Sequence, residues 1–212
     1  MNTLSLWIAL ALLPGLLILL GLLRIRRYYQ QRRRQRHGVQ QLICLKNLLV
    51  LLQRHRGSSY GALHGDITLR DALPRLEQQI RTEIDLLEHL QPSAAVQEHW
   101  LAFTDHWQRL QQNNLQLEAE QNLAQHNQLI AVVLNLLEDV AETSELIRLQ
   151  PAGDSRLWRD LPRTAELIGQ ARVLGSGILA SGSHDSVHKI RMRFVLTRLQ
   201  EFLHQHPGHY PR

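Results

Sequence analysis

A heptad-like spacing of apolar residues constrains the fold of this chain more than any other feature. Apolar side chains alternate three and four positions apart through 42–52, 96–110 and 126–147. We call the positions of this spacing the seam, and His126 occupies one of them. The spacing is typical of helices that pack against one another, and no segment has the sustained alternation of β-branched residues that is typical of strands. The sequence therefore predicts an all-α protein in which residues 39–205 form an antiparallel helical bundle.

Turn and capping residues divide this bundle into helices, because Ser, Asp and Asn are favoured at helix starts and Pro is accepted in the first turn. In chain order the predicted interruptions are a helix start at Asp71 with Pro74, a break at 91–93 with Ser93 as N-cap, a break at Asn113 and Asn114, a loop over 151–155, a helix start at Asp160 with Pro162, and a turn over 181–185. Residues 206–212 are predicted to be a tail.

The N-terminal end has the pattern of a membrane anchor. Residues 4–23 contain no charged side chain, no Lys or Arg precedes them, and seven arginines follow within 24–36. Twenty helical residues measure about 30 Å, the thickness of the hydrocarbon core of a bilayer, and a cleaved signal peptide would need a preceding basic residue and a shorter apolar run. We expect residues 1–23 to be a single transmembrane helix and 24–38 a basic juxtamembrane segment. Because positive residues stay inside, the N-terminus is expected outside and the bundle in the cytoplasm, at the inner membrane.

The basic excess of the chain is confined to that juxtamembrane segment. Removing its seven arginines from the 24 basic residues leaves 17 against 19 acidic ones. A nucleic-acid-binding surface spread over the fold is therefore disfavoured, and no nucleic-acid partner is expected. An RNA- or DNA-binding arm over 24–36 remains an alternative, although no recognition motif surrounds it.

Motifs of catalysis and metal binding are incomplete in this sequence. The single cysteine, Cys44, excludes an intramolecular disulfide and a Cys-rich metal site. His184 and His188 have the spacing of two zinc ligands, but no third ligand follows at a fitting distance. No phosphate loop, nucleophile elbow or pair of catalytic carboxylates occurs, so we expect neither an enzyme nor a cofactor. His126 is interpreted as a core histidine that is hydrogen-bonded across the bundle.

Two arginines lie where helical periodicity predicts a core. Arg56 falls in line with the leucines of 42–52, and Arg172 falls within a broad apolar arc of the later helix. A buried guanidinium costs several kcal/mol unless it is paired, so an anion between the two is one solution. The resulting hypothesis is a small-anion site formed by Arg56 and Arg172, with hydroxyl groups donated by Ser58, Ser59 and Ser176.

Two other solutions require no ligand. The arginines can extend to the rim of the bundle and reach water. Alternatively, Arg56 can pair with a protein carboxylate, for which Glu83 is the best candidate on the second helix.

Several segments resemble nitrate- and nitrite-sensing (NIT) domains. The run LLVLLQRHRGSSYGAL, over 48–63, resembles the Leu-rich opening helix of these domains with its Arg-Gly-Ser stretch. Trp107 with 126–130, and then 140–146, resemble the middle helices, and 161–175 resembles the helix that carries a second arginine. Their order and spacing carry the resemblance, which covers nearly the whole chain after the basic segment.

The resemblance implies an all-helical sensor that holds nitrate or nitrite between helices by arginines, at Arg56 and Arg172 of this sequence. His55 departs from the pattern, because an acidic residue usually stands before the Arg-Gly pair. Output domains accompany such sensors and none follows here, so we expect signalling through a separate protein, with a second copy of the chain as another candidate partner. The alternative is a ligand-free helical scaffold at the inner membrane.

Overall fold

The computed structural model describes residues 3–147, 157–181 and 186–205. Over these residues the protein consists of α-helices and contains no strand, which confirms the predicted all-α class. The helices are α1 (Thr3–Leu63), α2 (Ile67–His89), α3 (Ala94–Asn113), α4 (Ala119–Thr143), α5 (Leu157–Ser181) and α6 (Ser186–Gln205).

The C-terminal half of α1 and the helices α2 to α4 enclose the main core. α1 packs against both α2 and α4, and α3 packs against α4. Short connections between neighbouring helices make α1–α2 and α3–α4 antiparallel pairs, as predicted. Most seam residues are buried as their spacing predicts, whereas Leu137 and Ile147 are partly buried. Each large apolar side chain removed from water contributes about 1.5–3 kcal/mol. Apolar side chains with almost no exposure are Leu45, Leu48, Leu52, Ile80, Phe103, Leu129, Ile130, Val133 and Leu136.

α5 and α6 pack against each other and form a smaller second core on the main bundle. This core contains Tyr60 of α1, Leu123 of α4, Val173 and Leu174 of α5, and Val195 of α6. α5 also contacts α1 and α4 directly. The α5–α6 pair is therefore attached to the main bundle through a limited set of contacts, and the candidate site lies at this junction.

α1 is one uninterrupted helix that passes through both predicted boundaries, at 23 and at 38. Gly38 lies against the end of α4, where a Cβ atom would come within 2.1 Å of Ser144 Oγ. Its lack of a side chain lets the two helices approach closely. No helix in the described part of the chain combines the length and the apolar character needed to cross a membrane.

Two predicted helix starts are wrong. α2 begins at Ile67, ahead of Asp71, because Asp66 caps it by accepting a hydrogen bond from Leu69 N at 3.0 Å. Pro74 therefore lies inside the helix, where its missing N–H costs one hydrogen bond. α5 begins at Leu157, ahead of the predicted start at Asp160 and Pro162.

The remaining predicted breaks agree with the structure where it describes them. α2 ends at His89 and α3 follows Ser93, although the Ser93 side chain makes no capping hydrogen bond. α3 ends at Asn113, and α5 ends at Ser181. The predicted loop over 151–155 and the tail over 206–212 lie outside the described residues.

Candidate functional site

Arg56 is buried in the interior, as its position on the helix predicts, with a side chain only 1% exposed. Its Nη1 donates to Glu166 Oε1, and its Nη2 donates to Glu166 Oε2 at 3.3 Å. Nη1 also donates to Asn127 Oδ1 at 2.7 Å. Glu166 is itself buried, so the pair joins α1 to α5 through a desolvated, forked ion pair.

Of the three ways to compensate the charge of Arg56, namely a bound anion, water at the rim or a protein carboxylate, the structure shows the third. The carboxylate is Glu166 of α5 and not the expected Glu83 of α2. Glu83 instead accepts a hydrogen bond from Asn47 Nδ2 at 3.3 Å. Local sequence patterns do not indicate this pairing, because Arg56 and Glu166 are 110 positions apart.

Arg172 is exposed, which corrects its expected position in the helical core. Leu161 and Ile168 share its face of α5 and are 51% and 49% exposed. The face that turns inward carries Glu166 and Val173 instead. The apolar arc of α5 is broad enough for the helix to bury either the Arg172 face or the Glu166 face. The structure buries the Glu166 face, which places a carboxylate next to the buried guanidinium of Arg56.

Gly169 allows the ion pair to form against the backbone of α5. A Cβ atom at this position would lie 2.9 Å from Arg56 Nη2 and 3.7 Å from Glu166 Oε2. A side chain here would therefore displace the guanidinium. Arg56 Nε, although buried, has no hydrogen-bond partner among the residues that the structure describes, so the side chain keeps one unused donor there.

Next to this ion pair, α1, α2 and α5 enclose a groove with a volume of about 920 Å³, which we term the arginine groove. Four arginines line it, and none of the described residues that line it is acidic. They are Arg54 and Arg56 of α1, Arg75 of α2 and Arg172 of α5. The positive potential of the groove favours anions, which arginine binds through paired N–H donors.

The arginine groove brings together three of the five predicted site residues, namely Arg56, Ser58 and Arg172. Ser59 does not reach it, because Ser59 is fully buried with Oγ 3.4 Å from His55 Nδ1. The side chain of Ser176 lies outside the described part of the structure.

Sequence reasoning missed Arg54 and Arg75 as groove residues. Both are exposed, as periodicity indicates, but their convergence depends on how α1 and α2 pack.

A second buried polar cluster lies beside Arg56. His126 Nδ1 lies 2.9 Å from the Asn122 carbonyl oxygen, which only accepts, so Nδ1 carries the proton. His126 Nε2 must then accept from His55 Nδ1, at 2.9 Å. Burial, followed by the charge of His55, lowers the pKa of His126 to about 3, so His126 stays neutral. The structure confirms the predicted core histidine that is bonded across the bundle.

The same cluster extends to α2. His55 Nε2 lies 3.5 Å from Glu77 Oε1. The contact with His55 lowers the pKa of Glu77, although the burial of Glu77 alone would raise it. His55 also contacts Trp107 edge to face, with ring centroids 5.1 Å apart. The cluster therefore ties α1, α2, α3 and α4 together.

Metal-binding chemistry has no support in the described residues, which contain no group of His, Cys, Asp and Glu side chains able to hold an ion. His184 and the side chain of His188 fall outside the description. Cys44 is half-buried, and burial together with the nearby Glu83 raises the pKa of its thiol. A thiol of this kind is a weak nucleophile.

Comparison with known proteins does not assign the chain to a family. No protein-family model matches the sequence, and no curated protein or solved structure is significantly similar to it.

Proposed function

We propose that this chain is a sensor-type helical module that binds a small anion, nitrate or nitrite, in the arginine groove. The observation that carries the proposal is the convergence of Arg54, Arg56, Arg75 and Arg172 on one groove whose described lining contains no carboxylate. Such an arrangement repels cations and stabilises a bound oxyanion through forked N–H donors. The resemblance to nitrate and nitrite sensors supports the same class of ligand.

The proposed mechanism is a shift between two arrangements of α5 and α6. Without ligand, Glu166 neutralises Arg56 and holds α5 against α1. An anion in the groove competes with Glu166 for Arg56 and gains further contacts with Arg172 and Ser58. Because the anion binds one arrangement better than the other, it changes their populations and moves the α5–α6 pair relative to the main bundle.

Membrane attachment completes the proposal. Although no helix in the described part of the chain has the length and apolar character of a membrane span, the uncharged stretch over 4–23 of the sequence and the arginines within 24–36 support a single-pass anchor in the inner membrane, with the bundle in the cytoplasm. Arg56 lies 33 residues beyond Leu23 in the same helix, which corresponds to about 50 Å. The groove would stand well away from the bilayer, and the α5–α6 surface would remain accessible to a separate signalling protein.

A thermal titration of the purified full-length chain in detergent micelles tests this function. Nitrate and nitrite are expected to raise Tm of the wild type more than chloride or sulfate at equal ionic strength. The Arg172→Ala variant should lose that increase and keep its helical circular dichroism spectrum. Arg193→Ala, which removes an exposed arginine of α6 outside the groove, is the matched control and should respond like the wild type.

A ligand-free scaffold is the second candidate, and the Arg56–Glu166 pair favours it, because the bundle neutralises its buried guanidinium without a ligand. A scaffold predicts that none of the four anions stabilises the wild type beyond the general effect of salt. It also predicts that Arg172→Ala shifts Tm by the same amount in every solution.

A further inference from the structure

The arginine groove is much larger than the anion proposed above. Its volume is about 920 Å³. A nitrate ion has only four heavy atoms and a water molecule occupies ~30 Å³ of the liquid, whereas clefts for organic ligands measure roughly 300–1,000 Å³. The groove therefore has the dimensions of an organic-ligand site.

Cationic groups lie on more than one wall of the groove. Arg54 comes from α1, Arg75 from α2 and Arg172 from α5. Arg54 and Arg75 are exposed, and neither forms an ion pair with another described side chain. Because the groove is far larger than one small anion, a ligand that contacts the arginines of all three walls together carries more than one anionic group.

The walls between these arginines are partly apolar. Leu76 of α2 and Val173 of α5 line the groove from the core side, and Ile168 lines it with 49% of its surface exposed. Apolar walls offer nothing to an inorganic anion, but they bury the carbon skeleton of an organic one. Gln53 and Gln79 add neutral hydrogen-bonding groups to the same lining.

A separate observation points to a ligand at the inner end of the groove. Arg56 lines the groove and is only 1% exposed, yet its Nε has no hydrogen-bond partner in the described structure. Buried donors are nearly always satisfied, and an anionic oxygen is the partner that a guanidinium binds best. A lipid headgroup does not fit this position, because the groove lies about 50 Å along α1 from the proposed anchor.

We propose that the arginine groove binds a diffusible organic phosphate that carries two or more phosphoryl groups on a partly apolar skeleton. Arg54 and Arg75 hold one end of the phosphate chain, Arg172 and Arg56 hold the other, and the skeleton lies on the apolar walls. This inference rests on the proposed anion-binding function and specifies the ligand class of the same site.

Calorimetric titration of the full-length chain in detergent micelles tests the ligand class, with ATP, inorganic triphosphate, citrate and nitrate as the probes. ATP is expected to bind about tenfold or more tightly than each of the other three. Arg54→Gln and Arg75→Gln should each weaken ATP binding by about tenfold or more. Arg193→Gln, outside the groove, should leave the ATP and nitrate affinities unchanged.

The alternative outcomes separate this inference from the proposed function. Inorganic triphosphate or citrate binding as tightly as ATP would overturn the organic-phosphate assignment, as would ATP affinity that is insensitive to Arg54→Gln and Arg75→Gln. If nitrate then still stabilises the wild type and not Arg172→Ala, the proposed function stands and only the ligand class is wrong. If neither ATP nor nitrate binds, both proposals fail.

Discussion

The buried pair of Arg56 and Glu166 allows a quantitative prediction about stability. Glu166 is 5% exposed and accepts hydrogen bonds from both terminal nitrogens of Arg56, from Gln53 Nε2 at 2.9 Å and from Gln170 Nε2 at 2.9 Å. Replacing Glu166 with Gln removes the countercharge and turns one acceptor into an NH₂ group that faces these donors. The side-chain volume is almost unchanged, so the variant isolates the electrostatic contribution.

The expected loss is large, because it leaves a buried guanidinium without a countercharge. Breaking a buried ion pair by removing one partner costs about 3–5 kcal/mol. For a chain of 212 residues, that loss corresponds to a decrease in Tm of roughly 6–20 °C. Replacing both partners with apolar residues, as in Arg56→Met with Glu166→Leu, should restore most of the stability, since buried ion pairs are often no more stable than well-packed apolar groups.

Urea unfolding of the full-length chain, followed by circular dichroism in detergent micelles, measures both effects. The single variant should lose much more free energy of unfolding than the double variant. A loss below about 1 kcal/mol in Glu166→Gln would mean that water reaches Arg56 and that the pair resembles a surface ion pair. A double variant as unstable as the single one would refute the electrostatic explanation.

Three further predictions concern other buried groups. Gly169→Ala should lower the free energy of unfolding by about 1–3 kcal/mol, because its methyl group would lie 2.9 Å from Arg56 Nη2. Gly57→Ala should raise the free energy of unfolding by about 0.5–1 kcal/mol, because a Cβ atom at Gly57 has nothing within 4 Å. Equal free energies of unfolding of the two variants in urea would contradict this prediction. Burial lowers the pKa of His126 to about 3 from 6.5, so the unfolded state takes up a proton first as the pH falls below 6.5. Stability should therefore fall by up to about 1.4 kcal/mol per pH unit below 6.5, and His126→Gln should flatten this slope; parallel curves would show that His126 does not contribute. Because burial raises the pKa of Cys44, iodoacetamide should alkylate it more slowly at pH 8 than it alkylates free cysteine, and an equal rate would contradict the half-buried position.

The sequence predicted the main bundle well because the information is local. The seam residues repeat within each helix, and burial follows directly from that repeat, as it does for Phe103 and Val133. The break at 91–93 was predictable because it also depends on neighbouring residues, here a proline followed by a serine. The start of α2 differs from the predicted start at Asp71 and Pro74, because Asp66 makes the capping hydrogen bond.

The candidate site was only partly predictable because it depends on contacts between distant segments. The burial of Arg56 follows from its place on α1, but its partner Glu166 is 110 residues away. The rotation of α5 that buries Glu166 also exposes Arg172, and no periodicity within α5 decides between the two. Arg75 lies on a solvent-facing surface, so only the packing of α2 against α1 reveals that it lines the groove.

The central claim is that an anion takes the place of Glu166 at Arg56. The most direct test is the effect of nitrate on the free energy of unfolding of Glu166→Ala, measured by urea titration of the full-length chain. Nitrate should stabilise this variant by ~2.7 kcal/mol at about one hundred times its dissociation constant, and chloride at equal ionic strength should have a smaller effect. Equal stabilisation by nitrate and chloride, or none by either, would contradict the claim.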